Sequence, residues 1–387
     1  MKFPLRKQHV LLSVPALGAA ILLAMINLGP GDPGKKKTVC CNNPDVHHVC
    51  VMKTILGIDN SPQAKLVSDF TTPAEVQASI KKGLAWIASA QNPDGGWGAG
   101  THKRQDIRDP HAVKSDPATT SLVAMALLRT DNTPGKGTYA KQLEKSLNFL
   151  LETVENCPAN QPYLTTLQGT QPQTKLGRNI DVILTAQFLT NLLRYELKDE
   201  TLKKRIEKAL DKCVNRIQNG QDNDGSWKDG GWAPVLQSAL ANNALENAQD
   251  VGRSVDSNVL NRSRQYQKSN FDVKTNAVVT GKAAGVMLYG LSSTARASAK
   301  ESKKARDIVR KAKEEGKIKD EAITEDNLEK AGVSTTEAKG LVTAYSVNES
   351  TVKQAVRGDV MQGFGSNGGE EFMSFLMTGE SLLMQGG

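Results

Sequence analysis

The sequence predicts an all-α protein of about five helical hairpins in two layers, with the second helix of each hairpin inside and the first outside. Three observations carry this. A turn containing glutamine, Asp-Gly and tryptophan follows a helical stretch twice, as "QNPDGGWGAG" at Gln91 to Gly100 and "QDNDGSWKDGGW" at Gln221 to Trp232, which marks a repeated unit. Amphipathic stretches alternate with stretches that are small, apolar or only mildly polar on most sides, and a pair of that kind cannot bury both of its faces alone. The 387 residues, 39% hydrophobic and 23% charged, suffice for a large core.

The first hairpin opens at Thr72 to Glu75, where a cap hydroxyl, Pro73 at the first helical position and Glu75 placed for a capping box predict a helix start. Val76, Ile80, Leu84 and Ile87 then share one face, and the turn at Asn92 to Gly96 stops the helix. Its second helix begins at Asp116-Pro117 and runs through "ATTSLVAMALLRT". In the second unit Leu143, Leu147, Leu150, Leu151 and Val154 make the amphipathic stripe before "NIDVILTAQFLTNLLRYE". In the third, Leu202, Ile206, Leu210, Cys213 and Ile217 precede "APVLQSALANNALENA". A fourth unit pairs "VDSNVLNRSRQYQ" with "AAGVMLYGLSST". A fifth pairs "ESTVKQAVRGDVM" with "GGEEFMSFLMTGESLL", with Phe364 in the tryptophan's place. The hairpins thus occupy residues 73–293 and 349–387, and the polar insertion 294–348 between them, with charges of both signs, reads as a solvated helix.

Ahead of the hairpins, Lys2, Arg6 and Lys7 precede an uncharged apolar run from Val10 to Leu28. That layout fits a signal-anchor with its basic end in the cytoplasm, and also a cleaved signal peptide. The expectation is a protein tethered to the membrane by this helix and facing the extracytoplasmic side, or secreted if the segment is removed. In the linker 29–72, Cys40, Cys41, His47, His48 and Cys50 stand within eleven residues. They read as a disulfide or free thiols in an oxidising compartment, with a zinc or copper site as the alternative. The net charge of +8 is concentrated in the N-terminal segment and one late segment, so no nucleic-acid partner is expected.

Lys82, Gly83, Trp86, Ile87, Gln91, Gly95 and Trp97 resemble the repeat motif of the squalene-hopene cyclase and prenyltransferase superfamily. A second, looser copy is Lys212, Cys213, Ile217, Gln221, Gly225 and Trp227. The resemblance implies an α/α toroid in which Gln91, Trp97, Gln221 and Trp227 are structural, the glutamine tying its helix to a neighbour and the indole covering the join. The superfamily's cyclases protonate an alkene with an Asp-x-Asp-Asp motif that this sequence lacks, and only 5% of the residues are aromatic, few for steering carbocations. No zinc set of the prenyltransferase kind is carried over, and no cofactor is expected. Closed rings of the family usually hold six hairpins, so a ring of five can stand open and be covered by a second copy or another protein.

The starts of the inner helices offer Asp116, Asp181, Glu370 and Glu371 as candidate catalytic carboxylates, with Gln187 and Asn242 as candidate ligand-binding amides and Thr119, Gln237 and Asn243 nearby. Each also has a plain structural reading: a helix cap for Asp116, dipole complementation for Glu370 and Glu371, mutual satisfaction for Gln187 and Asn242. The loop "THKRQDIRDPHAVKSD" adds His102, Lys103, Arg104, Arg108 and His111, which suit an anionic ligand if they converge. Three functions fit: a ligand- or partner-binding scaffold derived from the cyclase fold, an enzyme acting on a terpenoid or prenyl substrate, and a glycan-binding or glycan-cleaving toroid.

Overall fold

A computed structural model describes residues 72–272, 274–363 and 369–385. The apolar run Val10 to Leu28 and the residues Cys40, Cys41, His47, His48 and Cys50 lie outside the described residues. Among the described residues, no helix is long and apolar enough to cross a membrane.

The described residues are mostly helical. Helix α1 spans Ala74–Ser89, α2 Pro117–Leu128, α3 Ala140–Asn156, α4 Gln171–Leu176, α5 Ile180–Leu193 and α6 Glu200–Asn219. Helix α7 spans Pro234–Asp250, α8 Ser257–Ser269 and α9 Met287–Glu314. Helices α10 (Glu325–Lys330), α11 (Thr335–Ala355), α12 (Gly358–Met361) and α13 (Gly369–Gln385) complete the chain. Two short strands, β1 Phe271–Asp272 and β2 Ala277–Val278, pair antiparallel with Phe271 opposite Val278. The sequence pattern contains no signal for this hairpin.

Burial follows the two-layer expectation. In α2 every residue but Leu122 is buried, and α5 and α7 are nearly as enclosed. Helices α3 and α6 bury a single stripe, Leu143, Leu147, Leu150, Leu151 and Val154 in one, and Ile206, Leu210, Cys213 and Ile217 in the other. Along the inner layer α2 lies against α5, α5 against α7, α7 against α9 and α9 against α13. Outside them α3 lies on α2, α6 on α5, α8 on α7 and α11 on α9, so each outer helix packs on the inner helix of the hairpin before it. The last inner helix also returns to the first: Glu380 of α13 meets Arg129 at the end of α2.

Local signals place the helix starts. Asp116 caps α2 by accepting from Thr119 N, with Pro117 in the first turn, and Thr170 and Gln173 form a reciprocal capping box on α4. The capping box expected at Thr72 and Glu75 does not form. Helix α1 starts at Ala74 with Pro73 at its cap and no side-chain cap bond, because proline takes the cap position itself.

The segment 294–348, expected to be a solvated helix, is solvated on one side only. Helix α9 runs without a break through Thr294 and Arg296, both buried in the ring, and its second half joins α10 and α11 around Ala305, Val309, Leu328 and Leu341. The stripe of alanines and serines lets α11 approach α9 closely; charged residues cover the rest.

Candidate binding sites at the two ends of the inner ring

The two motif turns have the same geometry. Trp97 Nε1 donates to Ile87 O and Trp227 Nε1 to Ile217 O, each at 2.8 Å, so each indole satisfies a carbonyl of its own outer helix. Gln91 Nε2 donates to Gly95 O and to Gln142 O on the next outer helix, α3; Gln221 Nε2 does the same to Gly225 O and Val259 O on α8. The inner helix is bound in as well: Trp97 N donates to Thr120 Oγ1 and Trp227 N to Ser238 Oγ, both at 3.0 Å. Glycine is required at the turn. Gly95 and Gly225 have φ of +89° and +86°, and a Cβ there would stand 2.5 Å from Lys145 O and 2.3 Å from Arg262 O. Each turn therefore joins three helices.

At the N-terminal ends of the inner helices the carboxylates are engaged by the protein. Asp116 accepts from Thr119 N and Thr119 Oγ1 at 2.8 Å each, and from Ala99 N at 3.3 Å. Burial pushes its carboxyl above the usual range in spite of these bonds. Asp181 accepts from Leu164 N and Val182 N at 2.7 Å and from Thr165 N at 3.2 Å, which fastens the loop before α4 to α5. Burial raises it to about 7, outweighing the three backbone bonds, and the charge of Asp116 pushes the same way. Glu370 holds Lys175 with both oxygens, at 2.8 and 2.7 Å. Glu371 lies beside the Tyr289 hydroxyl, which burial and then Glu371 push above the usual phenol range.

The other expected residues are dispersed. Arg104 pairs with its neighbour Asp106 in solvent, and Arg108 is exposed on the same loop. His111 turns back to α1, its ring nitrogens 3.2 Å from Asn92 Oδ1 and 3.1 Å from Ser89 O. His102 lies 3.2 Å from Gln171 Oε1 and edge-on to Trp232. Gln187 does not meet Asn242; it donates to Leu240 O at 2.8 Å, while the buried amide of Asn242 has no partner among the described residues. Among the described residues, no three His, Cys, Asp or Glu side chains are placed to hold a metal ion.

Two clusters were missed by sequence reasoning. Trp232, half exposed, carries Lys175 over its ring at 5.1 Å and completes the N-terminal mouth. At the opposite end, Arg129 and Arg296 grip the two oxygens of Glu380 at 3.1 and 2.6 Å. Arg194 and Lys300 share Asp250, and Arg264 holds Glu246. Burial opposes ionisation of Glu380, yet Arg296 and Arg129 hold it below the usual carboxylate range. The available signal was an arginine or glutamate inside a segment otherwise enclosed on every side, as in "SSTARASAKE" and "LMTGES". Between the two ends a cavity of about 20 Å³ is lined by α2, α5, α7 and α13, with Arg129, Asn191, Asn243 and Glu380 among its walls.

Comparison with known proteins agrees with the repeat motif. Residues 65–166 match the family described as squalene-hopene cyclase C-terminal domain. Among solved structures, a variant of the type II terpene cyclase MstE from Scytonema, in complex with the product merosterolic acid A, is similar at 11% identity and a TM-score of 0.40. The likeness covers 88% of this chain and 96% of that one. No curated protein matches.

Proposed function

We propose that this squalene-hopene cyclase-like protein is a binding scaffold and that its ring does not cyclise a terpenoid. The observation that supports the reading is the filled centre. A cavity of about 20 Å³ accommodates one water molecule, whereas a pocket for an organic ligand takes roughly 300–1,000 Å³. Polyene cyclisation also needs an acid aimed into an apolar chamber lined by aromatic faces. Here Asp116 and Asp181 are turned onto backbone N–H groups, Glu370 onto Lys175, and Glu380 onto two arginines.

Charged and amide groups inside the ring make the same point energetically. Arg129, Arg194 and Arg296 are each almost wholly buried, and a hydrocarbon beside them would remove water without offering a partner. In this proposal the run Val10 to Leu28 exports and tethers the scaffold, which places its ring on the extracytoplasmic side.

The test is product analysis. Full-length protein is incubated with squalene and with geranylgeranyl diphosphate in detergent, and the extract is resolved by gas chromatography and mass spectrometry. The reading expects both substrates back unchanged. A cyclic hydrocarbon that disappears in Asp116→Asn or Glu371→Gln overturns it.

A further inference from the structure

We infer that the groove between the first two hairpins is a binding site for a neutral oligosaccharide. The inference rests on the scaffold reading and names what the scaffold holds. The groove has a volume of about 700 Å³ and is open to solvent. Its walls are the motif turn at Asn92 to Asp94, the segment from His111 to Pro117, Phe149 and Thr153 of α3, and the stretch from Thr165 to Leu167.

The local sequence explains why a groove exists there. Gly96 and Gly98 let the segment around Ser115 lie flat on the motif turn: a Cβ on Gly98 would stand 2.0 Å from Lys114 O, and one on Gly96 would stand 2.6 Å from Ser115 Cβ. That segment is pinned by Asn92 Nδ2, which donates to Val113 O at 3.1 Å and to Ser115 Oγ at 3.0 Å. Ser115 Oγ in turn donates to Asp94 Oδ1 at 2.8 Å. The opposite wall is pinned from below by Asp181, which accepts from Leu164 N and Thr165 N. Both walls are therefore preorganised, which lowers the ordering cost of binding.

The chemistry of the walls selects the ligand class. Phe149, Val113 and Leu167 supply apolar surface, while Thr165 and Thr166 supply hydroxyls that can donate, and Thr153, whose proton goes to Phe149 O at 2.7 Å, supplies an acceptor. A pyranose has the matching anatomy, an apolar face of C–H groups and a rim of hydroxyls. Among the described residues Lys114 is the one lysine or arginine lining the groove, and the ring nitrogens of His111 lie against Asn92 Oδ1 and Ser89 O, so the groove lacks the clustered cations that a phosphate or sulfate ligand would need. An extended peptide would pair with free backbone groups along one wall, but Val113 O is already taken by Asn92 and Asp116 N by Trp97 O. Open ends suit a chain of sugars better than one enclosed molecule.

Saturation-transfer NMR on the full-length protein tests this, with maltotriose, cellotriose and triacetylchitotriose as probes. Transfer to at least one trisaccharide is expected, with affinity falling at least about tenfold in Thr166→Trp, which fills the groove from an exposed position outside the core. Trp86→Ala, which removes an exposed indole elsewhere, is expected to leave binding unchanged. Absence of transfer from all three probes to a folded protein overturns the inference. Binding that survives Thr166→Trp, or that is lost in Trp86→Ala instead, also overturns it by placing the sugar elsewhere. Neither result bears on cyclase activity, which the product analysis reads separately.

Discussion

Arg296 donates its Nε to Glu380 Oε2 at 2.6 Å inside the ring, with both side chains nearly excluded from water. The other oxygen of Glu380 accepts from Arg129, so one carboxylate joins α9, α13 and α2. The desolvation cost of three buried charges is offset only while the set is complete.

Breaking the set is therefore expected to cost more than replacing it. Glu380→Ala leaves two guanidinium groups buried without their carboxylate and should lower stability by about 3–5 kcal/mol in urea unfolding. Replacing all three together by Arg129→Met, Arg296→Met and Glu380→Leu should recover most of that loss. Equal urea midpoints for wild type and Glu380→Ala would mean that the three charges do not lock the ring.

The two motif turns should behave alike because their bonds match atom for atom. Trp97→Ala and Trp227→Ala are each expected to cost about 3–5 kcal/mol, since both indoles are buried and both satisfy a helix-end carbonyl. Gly95→Ala should also be destabilising, because the positive φ and the Lys145 carbonyl both reject a Cβ. Wild-type melting in Trp97→Ala, together with altered ligand binding, would make that tryptophan a ligand contact instead.

Asp181 gives the fold a pH dependence of definite sign. Its carboxyl titrates at about 7 in the fold and in the ordinary aspartate range in the unfolded chain, so the folded state holds the proton more tightly. The associated stabilisation is fully present below the ordinary aspartate value and is lost as pH rises through about 7, by at most about 4 kcal/mol. Asp116, raised for the same reason, contributes in the same direction. Above the ordinary glutamate range, where the depressed carboxyls of Glu380 and Glu246 no longer oppose it, denaturation midpoints should therefore fall as pH rises toward 8, and Asp181→Asn should flatten the profile. An unchanged slope in Asp181→Asn removes Asp181 as the cause.

The thiols offer a probe of the outer layer. Burial pushes the Cys213 thiol up to about 12, whereas Cys157 is partly exposed in the loop after α3. In a Cys40→Ser, Cys41→Ser, Cys50→Ser background, Ellman's reagent should modify Cys157 in the native protein and Cys213 only on unfolding. Native-state modification of both would show that α6 separates readily from α5.

Much of this architecture was legible because it rests on local and periodic features. The stripe from Leu143 to Val154 and the cap at Asp116 are written in adjacent residues, and the doubled turn shows the repeat directly. What lay hidden depends on long-range pairing. Arg129 and Glu380 are 251 residues apart, Lys175 and Glu370 are 195 apart, and no pattern within a helix says that either pair meets. The pattern sets residues 294–348 apart as an insertion because the polar half of α9 resembles a surface helix; its buried serines and alanines show their purpose only once α11 lies on them. The groove beside Phe149 was missed for the same reason, since its walls come from four separate segments.

In the proposed function the ring is filled by its own side chains and holds no isoprenoid. The most direct test of this is to purify the full-length protein from its native cells without delipidation and to identify what accompanies it by native mass spectrometry. The expected result is a protein free of stoichiometric isoprenoid, with any bound small molecule being a sugar. A stoichiometric isoprenoid carried through purification, and released when Glu380 or Met377 is replaced by tryptophan, would contradict it.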